Sequence, residues 1–285
     1  MKMIIKIMFI AALSASAVSI SAESIEDRLN IVTDSESSSD NISELNKNEG
    51  DKSSSAFTVQ KKVKAELPPP AAEDKILLES AVNYFSNGDY SSSLMKIDEL
   101  LSTYPASLYL DQAIIIRAKI LSKNGDYKNA AAELSKVSKE SGEYPVSLYL
   151  LAEIYKNAKD TNHAREMFLK LASMFPANDL ADDSLLNLGD IYLADGLSEK
   201  ALETAAGIIK NYSDRETVDD AYFLLGKIFM QDKNLRDLQK ARQVYKKFIF
   251  KAEVEKDPYF LNSPLLNRVR INYDNLNKYY FNEKN

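Results

Sequence analysis

The chain offers little with which to make or break bonds. Its single histidine, His163, stands one residue before Ala164 within a run of helical spacing, there is no cysteine, and its glycines occur singly. Thiol nucleophiles, histidine-based zinc sets and glycine-rich loops that cradle phosphate are therefore absent. Carboxylates are the abundant group: 42 Asp and Glu face 36 Lys and Arg, a net charge of −6. Two pairs are adjacent aspartates, Asp182-Asp183 and Asp219-Asp220. Such pairs can ligate calcium, or hydrolyse a glycoside when two acids face each other across a cleft of about 5–9 Å. Both pairs, however, fall where the surrounding pattern starts a helix, and negative charge there complements exposed N–H groups and the helix dipole. No catalytic residue, metal site or cofactor is expected, and the acidic balance argues against nucleic acid as a partner.

The elements that would position these acids repeat. Ala81, Ala118, Ala152, Gly189 and Gly226 recur at intervals of 37, 34, 37 and 37 residues. Twelve residues after each of the first four comes a second small residue, Ser93, Ala130, Ala164 or Ala201; in the fifth unit Ala241 follows after fifteen. Two helices approach closely where no side chain stands between them, so paired small slots mark helix crossings. Ala201→Leu should overpack such a crossing, whereas Ser198, three residues earlier, should tolerate the same change. Apolar residues keep register with these slots: Leu77, Ile114, Leu148, Leu185 and Tyr222 before the first, Ile97, Leu134, Phe168, Ala205 and Tyr245 four after the second. Leu100, Val137, Leu171, Ile208 and Phe248 follow three further on, completing one helical stripe per second helix. Asn87-Gly88-Asp89, Asn124-Gly125-Asp126 and Asp195-Gly196 supply turns between paired helices. The fifth unit carries a longer turn, Lys233 to Gln239.

This order of small and bulky positions resembles the tetratricopeptide repeat (TPR), a helix–turn–helix unit of about 34 residues. The third unit carries the resemblance best, from Leu148, Ala152 and Tyr155 through Ala164 and Phe168 to Phe175-Pro176. The resemblance implies an all-α solenoid of about five TPR-like pairs over residues 73–256, and a non-enzymatic protein–protein scaffold. The linkers Tyr104 to Ala113, Phe175 to Ser184 and Tyr212 to Ala221, each with one or two Asp, are similar to those of bacterial envelope TPR proteins. Those relatives are the Tol–Pal-associated periplasmic protein and the lipoprotein of the outer-membrane barrel-assembly machine. They imply envelope proteins as partners, in assembly or maintenance of the outer membrane or in division; a periplasmic secretion or motility machine and a cell-wall-binding or cell-wall-modifying role are the alternatives. Without cysteine no lipidation is expected, and without sustained heptads neither is the trimeric coiled coil of the Tol–Pal relative.

A groove follows from helical geometry. The residue after each first core position, namely Leu78, Ile115, Tyr149, Leu186 and Phe223, forms an apolar row towards the inner side of the stack. Four residues on, the third to fifth units bring Glu153, Asp190 and Lys227. The row either holds a partner's helix or extended peptide or packs between repeats; the spacing allows both. Residues 257–285 read as a capping helix and tail, with Leu266, Val269, Tyr273, Leu276 and Tyr280 on one stripe. Ser263 is its expected N-cap, and Arg268, Arg270 and Lys278 form a candidate basic face. At the other end, Lys2 and Lys6 flank an apolar run too short for a comfortable membrane span, followed by small residues. Residues 1–22 are thus expected to be a signal peptide cleaved after Ala17 or Ala22, with periplasmic delivery and only indirect membrane contact. Residues 23–72, with two Ser triplets and Pro68-Pro69-Pro70, read as a disordered linker.

Overall fold

A computed structural model describes residues 73–281. The expected signal peptide and linker lie outside the described residues. Ten helices form five antiparallel pairs: α1 (Glu73–Ser86) with α2 (Tyr90–Thr103), α3 (Leu110–Lys123) with α4 (Tyr127–Leu134), α5 (Tyr144–Asn157) with α6 (Thr161–Met174), α7 (Ala181–Ala194) with α8 (Ser198–Asn211), and α9 (Val218–Gln231) with α10 (Leu238–Glu253). A single turn, α11 (Pro258–Leu261), leads to α12 (Leu266–Leu276), which packs on α10 and continues into a π-helical turn, Asn277–Phe281. The described part of the chain is the all-α solenoid its repeat pattern implies, and no described helix is long and apolar enough to cross a membrane.

Local chemistry explains the helix ends. Asp89, Asp126, Asp160 and Asp237 cap α2, α4, α6 and α10, each carboxylate accepting the N–H three residues on. Gly88, Gly125 and Gly196 end three first helices with φ of +79°, +80° and +73°. In the third unit Lys159 takes that place at φ +63°. The small slots lie at the crossings, fully buried, and Ser93 Oγ donates to the Ala81 carbonyl at 2.8 Å, joining the two slots of the first unit directly. A Cβ on Gly189 would stand 2.8 Å from Leu224 Cδ2, and one on Gly226 would collide with the Tyr245 ring.

Four expectations are corrected here. The α4 helix stops at Leu134, so Val137 lies in the following turn, although still buried. The polar stretch Ser135 to Gly142 has no apolar residue after Val137 to reward further helical turns, and Ser138 Oγ bonds Glu140 instead. Ser198 is buried at the first position of α8 and donates to Asp232 across the fourth and fifth units. A leucine there would have to fit a buried slot and would remove that link, leaving Asp232 with the Asn234 and Leu235 N–H groups. The last helix starts at Leu266, with Ser263 Oγ accepting the Leu265 N–H from outside it. The π turn then breaks the stripe: Leu266, Val269 and Leu276 are buried, but the wider turn carries Tyr280 outward and buries Asn277, which accepts Arg242 Nε at 2.6 Å.

Adjacent units are locked by the helix-start acids. Asp74 accepts from Ser107 Oγ at 2.7 Å, Asp111 from the Ser138 N–H at 3.4 Å, and Asp182 from Thr217 Oγ1 at 2.7 Å; Asp219 takes a side-chain hydrogen bond from Ser263. Each partner sits in the linker that opens the next unit. Asp182 and Asp219 are buried, so their role extends beyond the dipole complement that their position implies.

Candidate functional site

First helices touch one another along the stack, α1 with α3, α3 with α5 and α7 with α9, whereas among the described residues second helices make no comparable contact with each other. The first helices therefore form the inner, concave layer. Within it the apolar row divides. Leu78 and Ile115 are buried core residues of the first two units. Tyr149, Leu186 and Phe223 are half-buried, each resting on the core and leaving part of its surface open.

The three open members are held firmly from behind. Tyr149 packs edge-on against Phe168 at 5.7 Å between ring centroids, and Phe223 lies 6.4 Å from Tyr245. Burial, then Glu153 and Asp183, pushes the Tyr149 hydroxyl up to about 12, so it stays neutral at physiological pH. Asn187 Nδ2 reaches that hydroxyl at 3.5 Å, and Asn187 Oδ1 accepts from Lys156 Nζ at 2.7 Å. Lys156 also bonds Glu153 at 2.7 Å, so Glu153 enters the groove as half of an ion pair. Asp190 is exposed on α7, and Lys227 is half-buried on α9; both line a recess of about 550 Å³ with Leu193 and Gln231.

The charges added by the last helix do not form one face. Arg268 sets its guanidinium 5.0 Å from the centre of the Phe223 ring, closing the C-terminal end of the groove. Arg270 turns away to pair with Glu253 of α10 at 2.7 Å, and Lys278 sits over Tyr279 at 5.2 Å. Spacings of two and ten residues straddle the helix and, with the π turn, cannot hold these three together.

The acid pairs also split. Asp182 is buried towards Thr217, while Asp183 belongs with Asp220 on the inner face, where burial raises both carboxyls and neighbouring acids add to the effect. Sequence reasoning missed Asp183 and Asp220 as groove residues, although each stands three positions before a wall residue, Leu186 or Phe223. His163 is exposed, stacked on Tyr155 at 5.0 Å and 2.6 Å from the capping Asp160. Among the described residues no group of three or more His, Cys, Asp or Glu is arranged to hold a metal ion.

Two family models described as tetratricopeptide repeat match residues 146–178 and 183–215, the third and fourth units. Among solved structures, the chain is similar to the MamA protein, at 18% identity and a TM-score of 0.51 over 64% of this chain and 95% of that one. It is likewise similar to a tetratricopeptide repeat protein from Parabacteroides merdae, at 13% identity and a TM-score of 0.52 over 74% of this chain and 80% of that one. Likeness at such identity is likeness of fold. No curated protein matches the sequence.

Proposed function

The chain is a tetratricopeptide-repeat protein, and from that premise we propose that it is a non-enzymatic adaptor of the bacterial envelope, holding a segment of an envelope protein along its concave groove. Arrays of this family are protein–protein interaction scaffolds, and their fold is typically non-catalytic. The observation that carries the reading is the half-covered wall of Tyr149, Leu186 and Phe223. These side chains are rigidly backed and flanked by charge, the arrangement of an apolar core with a polar rim that partner segments use.

Export to the periplasm is supported by the basic, apolar and small-residue order of residues 1–22, and the envelope role by the Asp-bearing linkers. A photo-cross-linking residue placed at Tyr149 or Phe223 in living cells should capture a discrete envelope protein, while one at Glu199, exposed on α8, should not. Equal capture at both positions would remove the groove from consideration. N-terminal sequencing should find a mature chain beginning near Val18 or Glu23 in the soluble periplasmic fraction; retention of Met1 on a membrane-bound species would refute export as read here.

A further inference from the structure

The groove also carries information about what it holds, and this step rests on the docking reading above. Asp183 and Asp190 flank Leu186 on α7 at spacings of three and four, and Asp220 precedes Phe223 on α9 by three, so the carboxylates share the helical faces of the wall residues. Among the described residues, none of the three enters an ion pair or a side-chain hydrogen bond, although acids elsewhere do so: Asp179 with Arg215, Asp195 with Arg165, Glu253 with Arg270.

Asp220 feels the other two, whereas the charges nearest Asp183 are Asp182, Glu216, Arg215 and Glu153, and those nearest Asp190 are Lys227 and Lys156. Burial pushes the Asp220 carboxyl up to about 6, and Asp219, Asp190, Asp183 and Glu216 add to the rise. Asp183 is raised by burial and by Asp182, Glu216 and Glu153, which Arg215 only partly offsets. Asp190 is reached by solvent, but partial desolvation by the surrounding atoms still raises it against the pull of Lys227 and Lys156. Lys156 is partly committed to Glu153 and Asn187 and Arg215 to Asp179, while Lys227 stays beside Asp190 and is the cation a ligand there would have to displace. At Asp183 and Asp220 neighbouring acids at the edge of a half-covered apolar wall cost the free array stability, and a cationic ligand would relieve that cost.

We propose that the C-terminal half of the groove takes a basic–apolar segment of a partner protein, its apolar side chains on Leu186 and Phe223 and its Lys or Arg side chains on Asp183, Asp190 and Asp220.

The test uses the full chain and fluorescent peptides of about twelve residues, with Lys-Leu-Ser repeats, the same with Glu for Lys, and the same with Ser for Leu. Anisotropy should show binding of the Lys–Leu peptide, weakened as salt rises from about 0.05 to 0.5 M, and neither of the other two should match it. The triple variant Asp183→Asn, Asp190→Asn, Asp220→Asn should bind at least about tenfold more weakly, yet melt at a higher temperature than the wild type. Neutralising Glu99, Glu166 and Glu199, exposed on the second helices, to Gln should leave binding intact. No binding of the Lys–Leu peptide, equal binding of both signs, or equal loss in the control triple would overturn the proposal, the last outcome meaning unspecific attraction to an acidic protein. Cellular cross-linking separates the two levels. If the captured partner is lost in Leu186→Ser/Phe223→Ser but retained in the acid triple, the groove stands and the basic segment falls. If capture survives both, the groove reading falls with it.

Discussion

Asp220 is the residue whose charge state tells most about the groove. Its folded carboxyl, raised to about 6 chiefly by burial, binds a proton more tightly than it does in the unfolded chain. The folded state is therefore favoured below the unfolded value, and that advantage is lost as pH rises through about 6. From pH 7.5 to 5.5 the melting temperature should rise, and Asp220→Asn should remove most of the rise. Discounted for solvent screening at a half-buried group, the effect is on the order of 1 kcal/mol, about 2–4 °C. Acids held below their ordinary range by hydrogen bonds, such as Asp89 and Asp232, act in the opposite sense but only at much lower pH. Identical pH profiles for wild type and Asp220→Asn would show that the carboxyl is solvated.

Two glycines make a second residue-scale comparison. Ala in a helix gains roughly 0.5–1 kcal/mol over Gly, against about 1–3 kcal/mol for overpacking. At Gly189 the obstacle is one terminal methyl of Leu224, which can give way, so Gly189→Ala should be close to neutral. At Gly226 it is the ring of buried Tyr245, so Gly226→Ala should lower stability by about 1–2 kcal/mol. Denaturant unfolding of the two variants decides it, and a Gly189 variant as damaged as the Gly226 one would contradict this account.

Between elements, hydrogen bonds from linkers to helix starts set how one pair leans on the next. Thr217 donates to Asp182 within a buried junction between α7 and α9, where the other Asp182 oxygen has no partner. Thr217→Val keeps the shape and removes the donor, leaving a buried carboxylate uncompensated at about 1–3 kcal/mol; Thr217→Ser should retain most of the stability. Equal melting temperatures for the Val and Ser variants would place the strength of the junction in packing alone. The third unit lacks a first-turn Asp and uses an edge-on contact of Tyr144 with Phe175, centroids 6.1 Å apart, so the array has two ways of joining repeats. The repeat register and the turn glycines are legible from spacing because close approach and positive φ restrict the residue types allowed. The linker bonds are not, since the partners stand 27 to 44 residues apart and Ser or Thr is unremarkable in a turn.

Across the whole molecule, the groove has to be both a surface and part of the structure. Leu186 and Phe223 rest on the core while remaining half open, so replacing both with Ser should cost roughly 2 kcal/mol in total, about half of what fully buried side chains would cost. An array that stays helical by circular dichroism, melts several degrees lower and no longer captures its partner would fit a docking wall. Full loss of helicity would assign these side chains to the core. Leu78 and Ile115 give the comparison: as core residues of the first two units, either one changed to Ser should cost about as much as the Leu186/Phe223 pair.

The sequence by itself determined the repeat, the helix pairing and the small slots at each crossing, because those depend on local spacing and on the volume a crossing permits. It also set the apolar row of the candidate groove to a single residue per unit, since helical phase fixes which residues share a face. What the tertiary structure decided is how much of that face remains open. The row of five is chemically uniform, and its division into two core and three half-open members depends on how neighbouring units close over each position. The same is true of charge: Asp182 and Asp183 are adjacent and identical, yet one is spent on the next linker and the other faces the groove, because a helix turns by about 100° between them.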